Sequence, residues 1–455
     1  MGVQEFKSSI ALTSHYRDER GFAVPIAVAI IAIVTILGIS AYYLAATDLS
    51  LSQHEEDYSK AVHVAEAGVN DYVWHMNKDE NYYKNYTHPA EGQDGEGNDN
   101  WVSYGSGDYH LDITPTSSEA PGVIVEATGR VKLLSGNYVS RKVKAQIRKR
   151  SFVNYLYLTD HETFEGTGER IWFFTGDTIH GPLHSNDTIS IDGNPVFEDR
   201  VTTAKTIYEQ SGSNPDFQQG YEESVTPLDF PPANTELKLT AQVGGYYYYG
   251  ETTITLNSYG TITVVNNDAS GQTTGPTGTV SLPSNGVIYV DGQALGKGTA
   301  GNGDVYMEGT LSGKLTIASS NNIYISGDLT YADSDEDMLG MVANNNVYIL
   351  HYQGGQDVAP YNIEINAAVF ALNHSFTFED YADGPAKGTI TIKGSLIQRF
   401  RGPVGTFNPG TGSKVSGYSK DYWYDERMLY NQPPHFIEPL NSGFERVFWE
   451  EEPVN

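Results

Sequence analysis

The chain has 455 residues, with 57 Asp plus Glu against 28 Lys plus Arg, and no Cys. That length predicts two or three folding units, and a net charge of −29 argues against nucleic acid as a partner, because phosphate binding needs a concentrated basic face. The lack of Cys excludes disulfides, thiolate zinc sites and a cysteine nucleophile. With 39% apolar residues a core is within reach, and 47 Gly with 32 Tyr point to a turn-rich β protein displayed outside a cell.

Residues 21–47 carry no charge. As a helix they reach roughly 40 Å, more than the hydrocarbon core of a bilayer. Lys7, Arg17 and Arg20 precede the stretch, and Asp48, Glu55, Glu56 and Asp57 follow it. The positive-inside bias therefore predicts a single pass with residues 1–20 cytoplasmic and the acidic bulk outside. A cleaved secretory signal is excluded, since the apolar run is too long and no small-x-small site closes it. Beyond the span, Leu51, Tyr58, Val62, Ala65, Val69, Val73 and Met76 recur at three- and four-residue steps. One helix of about 50 residues is predicted from Phe22 onward, apolar in its first half and amphipathic in its second.

The junction Arg20-Gly21-Phe22, after a short charged leader and before a long apolar helix, resembles the processing site of type IV pilins and pseudopilins. Ala65-Glu66-Ala67-Gly68 is similar to the AEAG-like segment of PilX-type pilus-assembly proteins. The resemblance implies that a prepilin peptidase cuts after Gly21 and N-methylates Phe22. The mature helix would then sit in the membrane or pack among other pilin subunits. Ile26 stands at the fifth mature position, where major pilins carry Glu, so the resemblance implies a minor, non-repeating subunit.

The predicted organisation is a leader (1–21), a long helix (22–78, of which 22–47 spans the membrane), and a linker with a small antiparallel sheet (79–150). Residues 79–100 are polar and rich in Gly and Asn, whereas 101–147 alternate as strands with one wet face. Arg141, Lys142, Lys144, Arg148, Lys149 and Arg150 form the one basic cluster. It is read first as a solvated strand face, and otherwise as a docking site for an acidic surface. From residue 151 a motif recurs: Ile189-Ser-Ile191-Asp-Gly193, Ile288-Tyr-Val290-Asp-Gly292, Val305-Tyr-Met307-Glu-Gly309, Ile323-Tyr-Ile325-Ser-Gly327 and Ile390-Thr-Ile392-Lys-Gly394. Short strands with Gly bends at a fixed period predict a right-handed parallel β-helix over 151–440, with a β-sandwich as the rival architecture. A projecting hairpin is expected near 246–267, and left-handed corners at Asn344–Asn346. The aromatics from Tyr418 onward are expected to cap the open end, and 441–455 to form an acidic aromatic tail. Segments within 154–440 also resemble extracellular domains of uncharacterised function that follow PilX-type N-termini. The expected fold class is thus α+β and pilin-like at the N-terminus, followed by a mainly-β domain.

Three constellations could carry chemistry. Asp333, Asp335 and Asp337 space oxygen ligands as a calcium loop does, although Met338 replaces the Gly of an EF-hand; the other reading is an acidic surface turn. His180 and His184 sit four apart, but Gly181-Pro182 forbids the helix that would align them on zinc. Asp291 and Glu308 would stand about one strand spacing apart if their motifs stack, which suits a retaining carboxylate pair. No serine elbow, Walker loop, dinucleotide fingerprint or HExxH is present. The expected function is therefore structural: a minor pilin or pseudopilus component, with an adhesive tip and a surface glycan among its partners. The alternative is a membrane-anchored β-helix enzyme acting on polysaccharide.

Overall fold

The computed structural model describes residues 23–79, 82, 101–115, 122–133, 135–408 and 413–452. The processing residues Gly21 and Phe22, and the leader before them, lie outside the described residues. A single helix, α1 (Ala23–Lys78), runs unbroken for 56 residues. Pro25 sits in its first turn, where a missing N–H is harmless, and His75 and Lys78 in its last turn suit the negative end of the helix dipole.

The second half of α1 packs on an antiparallel sheet of β1 (Val102–Tyr104), β2 (Gly107–Pro115), β3 (Gly122–Lys132) and β4 (Tyr138–Lys149), in that order. The buried stripe of α1 is Ala61, Val64, Ala65, Val69, Tyr72 and Met76; Leu51 and Tyr58, expected to face the core, are exposed. The stripe is set by backbone proximity. A Cβ on Gly129 of β3 would lie 2.1 Å from the Ala61 carbonyl oxygen and 2.5 Å from the Ala65 nitrogen. Small residues at 61, 65 and 68 let helix and sheet approach, which is the physical content of the Ala-Glu-Ala-Gly segment. From the sheet side, Val139, Val143, Ala145 and Ile147 of β4 alternate into the same core.

The stretch expected to form an acidic aromatic tail is built into the sheet as far as residue 452. Phe444–Glu452 adds a fifth antiparallel strand beside β4, with Lys144 opposite Glu450 and Lys142 opposite Glu452. Strand alternation buries Phe444 in the α1 core and sets the carboxylates against the basic strand.

Residues 157–424 form a large, mainly parallel β part in which the chain visits three ladders in turn. The first ladder stacks Tyr221–Glu222, Val201–Thr203, Leu183–Ser185, Tyr157–His161, 396–400, 368–371, Met338–Ala343, Lys314–Ser319, Val287–Asp291 and Tyr246–Tyr249. The second carries Thr252–Asn257, 305–309, 323–325, Val347–Ile349 and Phe376–Phe378, and, in a separate block, Trp172–Phe174, Ile189–Asp192 and Ile207–Glu209. The third runs from 309–311 through 329–331, 363–366, 390–394 and 419–424; a bridge from Trp423 to His180 leads on to Thr178–Ile179, Val196–Phe197 and Asp216–Phe217. Aliphatic rows from all three ladders meet in one core.

The five motif copies do not occupy one equivalent position. Ile288–Asp291 lies on the first ladder, Val305–Glu308, Ile323–Ser326 and Ile189–Asp192 on the second, and Ile390–Lys393 on the third. Each inward aliphatic row needs the same alternating pattern whichever side it lines. The hairpin is Thr252–Asn257 with Thr261–Asn266, and its first strand belongs to the second ladder rather than projecting from it. Asn344–Asn346 are not left-handed. Asn345 instead heads an amide ladder, donating to Asn321, which donates to Asn302, at 2.7 Å each. The aromatics after Tyr418 cap no end: Tyr422–Tyr424 lie in mid-stack, and Trp423 stacks on His180 with centroids 3.8 Å apart.

The order of the first ladder reveals how the chain is laid down. It enters at Tyr157, in mid-stack, and builds outward to Glu222. Residues 223–245, including the helix α2 (Thr235–Gln242), then carry it to the opposite end, from which residues 246–424 build back to the entry point. The two blocks meet where 396–400 pairs with Tyr157–His161. The connector covers the outer side of the first ladder with Leu228, Phe230, Leu237 and Ala241. That ladder is thus buried on both sides, and Met338–Ala343 reads as six consecutive buried residues.

Candidate functional site

The first half of α1 is apolar on every side and touches nothing. Val24, Ile31, Leu37 and Leu44 are each more than 60% exposed, and no residue of its most apolar window is buried. Its Thr and Ser hydroxyls are satisfied internally: Thr35, Ser40 and Thr47 donate to the carbonyls of Ile31, Ile36 and Tyr43 at 2.7–2.8 Å. These three donors ask nothing of a solvent that lipid does not supply, and Tyr42 and Tyr43 stand together near the outer end of the apolar run. This half is long and apolar enough to cross a membrane.

The basic cluster is engaged rather than solvated. Arg141 faces Glu451 at 3.5 Å, Lys144 lies between Glu450 (3.9 Å) and Glu452 (3.7 Å), Lys149 meets Glu438 at 3.6 Å, and Arg150 meets Glu445 at 3.2 Å. Arg148 is buried, donates to the Met428 carbonyl, and has its pKa lowered by desolvation. The acidic surface this cluster docks is therefore the chain's own C-terminal strand and the residues just before it.

Two carboxylates of the calcium constellation accept from the backbone. Asp337 accepts from the Gly313 and Asp333 amides at 2.6 and 2.7 Å, and Asp333 accepts from the Asp335 amide at 2.9 Å. Among the described residues no three His, Asp or Glu side chains converge as a metal site. His180 Nδ1 lies 2.8 Å from Glu198. His184 is buried between Thr202 (2.9 Å) and Asn186 (3.0 Å), and burial lowers its pKa to about 4. The two imidazoles thus serve different neighbours. Asp291 and Glu308 are also separated: Asp291, on the first ladder, pairs with Lys238 and Tyr247, both at 2.6 Å, while Glu308 stands opposite Thr255 on the second. A stacked carboxylate pair is not formed.

A cleft of about 620 Å³ opens on the outer side of the second ladder, lined by Glu251, Thr253, Lys297, Tyr306, Glu308 and Ser326, with Tyr352 at its rim. Tyr306 of its lining begins a tyrosine stack along the ladder: Tyr306 on Tyr324 at 4.9 Å between centroids, and Tyr324 on Tyr348 at 5.2 Å. Lys297 reaches over Tyr324, bonded to Glu379 at 2.7 Å and to the Tyr352 carbonyl at 2.6 Å. The signal for this stack is visible in the repeats, where Tyr306, Tyr324 and Tyr348 all hold the outward position between two inward aliphatics. It becomes legible only once those three copies are known to share a ladder.

Residues 108–206 match the profile of a domain of unknown function, DUF4900, which spans β2–β4 and the layers that begin the first block. No curated protein matches the chain significantly. Three chains of solved structures match. One is the competence-associated pilin ComZ from Thermus thermophilus, at 13% identity over 87% of this chain and 97% of that one, with a TM-score of 0.31. At that TM-score the likeness is a point of comparison rather than an argument about function.

Proposed function

We propose that the chain is a structural component of a type IV pilus or pseudopilus, a minor subunit anchored by the apolar half of α1 and facing the cell surface. The observation that carries the reading is the division of one continuous helix. Half of it is apolar and fully exposed, with Thr35, Ser40 and Thr47 bonded to its own carbonyls, and half is packed on an antiparallel sheet. Such a helix is stored in lipid and, on assembly, exchanges lipid contact for contact with other pilin helices. In this reading the three ladders are the sides of a right-handed parallel β-helix carried on the α1–sheet platform. Its bulk, with Ile26 in place of the usual Glu, favours a rare or terminal subunit. Prepilin peptidase, which would remove residues 1–21 and methylate Phe22, and other pilin subunits are its partners, with a surface glycan as a further ligand of the β part.

Mass spectrometry of the protein from the native cell envelope tests the reading. A mature chain beginning at N-methylated Phe22 is expected. A chain beginning at residue 1 or 2 overturns it and leaves a plain membrane anchor.

A further inference from the structure

The chain closes one end of its stack and leaves the other open. At the closed end Thr252–Asn257 is extended by two antiparallel strands, Thr261–Asn266 and Gly278–Ser281, and the buried Tyr248 donates to the Pro276 carbonyl. At the other end, built by residues 157–222, Ile207–Glu209 and Asp216–Phe217 are edge strands, each paired on one side only. Tyr208 and Tyr221 of that last layer are 45% and 54% exposed. The edge of Ile207–Glu209 is set up for a further strand. The Thr206 carbonyl accepts from the Ile189 amide, and the Gln210 amide donates to Ile191. By the alternation of a parallel ladder, the backbone groups of Ile207 and Glu209 therefore point away from the stack. A carboxylate oxygen of Glu223 meets the Ile207 amide at 2.6 Å, where the carbonyl of a next strand would stand. Among the described residues, neither the Glu209 amide nor the carbonyls of Ile207 and Glu209 form a hydrogen bond.

Backbone and charge together say what fits this edge. Outward amides and carbonyls that alternate at the strand repeat are matched by another extended peptide, which offers donors and acceptors at the same repeat. Ile207 continues the inward row of Ile189, and Glu209 that of Ile191. A following strand thus meets an apolar position and, two residues on, a carboxylate on the same row. Glu222 is neutralised by Arg200 and Asp187 by Lys205, but Glu209, Asp216 and Glu223 pair with no cation among the described residues. A second copy of this end would set those three carboxylates against their own kind, and like charges placed opposite one another destabilise a strand pair. A cationic strand has no such conflict.

We propose that the open end of the stack docks an extended, cationic segment of another protein, which pairs with Ile207–Glu209 as one more parallel strand, an apolar side chain over Ile207 and a Lys or Arg over Glu209. Glu223 is then displaced from the Ile207 amide and left free to meet the incoming cation. The proposal stands or falls independently of leader processing. The test uses the full chain in detergent and the peptide acetyl-Thr-Val-Thr-Lys-Thr-Lys-amide, which sets Val over Ile207 and Lys over Glu209. Binding is expected, and N-methylation of the peptide's third and fifth residues, whose amides the pairing uses, is expected to weaken it at least tenfold. Glu209→Lys is expected to weaken it as much and to improve binding of the same peptide with Glu in place of Lys. Glu336→Lys, exposed on the other block, is expected to leave binding unchanged. Both positions are exposed, and unchanged unfolding transitions confirm the fold of the variants. No binding of the lysine peptide, equal binding of its N-methylated form, or equal losses from Glu209→Lys and Glu336→Lys overturns the proposal. Dimers of the chain that the lysine peptide dissociates would make a second copy the occupant, and would overturn it too.

Discussion

His184 is enclosed to 1% exposure between Thr202 and Asn186, so its neutral ring is the form the fold accepts. Its pKa falls from 6.5 to about 4 because burial penalises the imidazolium. The unfolded chain takes up a proton below pH 6.5 that the native state refuses until about pH 4. Stability from this group is therefore complete above pH 6.5 and is lost as pH falls through that window, about 3 kcal/mol in all. Asp304 acts in the opposite sense: burial raises its pKa to about 6, so it withdraws stability as pH rises from about 4 to 6. Urea unfolding at pH 7 and pH 4.5 should show wild type losing more than His184→Gln over the interval. Equal losses would mean that His184 does not carry the effect. That His180 and His184 share no helix face was legible from Gly181-Pro182, which rules out a helix. Their actual partners were not, because Thr202, Glu198 and Trp423 reach them only through stacking of later layers.

At the level of elements, α1 and the sheet meet at a point where backbone nearly touches backbone. Gly129→Ala would drive a Cβ into the Ala61 carbonyl, and a loss of about 1–3 kcal/mol is expected from overpacking. Gly38→Ala in the exposed half of the same helix meets nothing within 4 Å and should be neutral or slightly stabilising. Thermal unfolding of the two variants side by side checks the contrast; equal transitions would remove the close approach as a determinant. The existence of both elements was readable from period alone. Which side of α1 faces inward was not, because the apolar positions 51, 58, 62, 65, 69, 73 and 76 and the buried row 61, 64, 65, 69, 72 and 76 differ by a rotation that Gly129 and Gly68 decide. The C-terminal strand was hidden for a similar reason. Phe444, Phe448 and Trp449 among four glutamates read as a tail until β4 supplies a basic partner in register. Its ion pairs are mostly exposed and individually worth about 0–1 kcal/mol, so Phe444 and the backbone ladder hold it more than the charges do.

For the whole molecule, the decisive feature is the joint at which two distant blocks share one ladder. Beyond its backbone pairs it is fastened by Arg399 to Asp160 at 2.9 Å and by the buried pair of Arg401 and Glu162 at 3.1 Å. A protease site inserted between Glu223 and Ser224, both exposed, would cut the connector and leave these contacts and the β4 edge intact. The two fragments are expected to co-elute on size exclusion and to separate only in denaturant; separation in native buffer would show that the joint does not hold on its own. The repeat reading placed strands at its five motif copies, in a single winding with a projecting hairpin. Nothing in the local pattern of Tyr157-Leu158-Thr159 says that its neighbour on one side lies near residue 397, since any inward aliphatic row accepts any other.

The joint also puts the molecule's assembly on a clock. Tyr157 and Gln398, bonded in the native state, are separated by 241 positions in the chain. At synthesis rates of about 5–20 residues per second, the edge of Tyr157–His161 waits on the order of tens of seconds for the strand that closes it. Throughout that interval an apolar, unpaired edge is open to any passing strand, including one from another copy of itself. Shielding of that edge during the wait is expected to raise the yield from a cell.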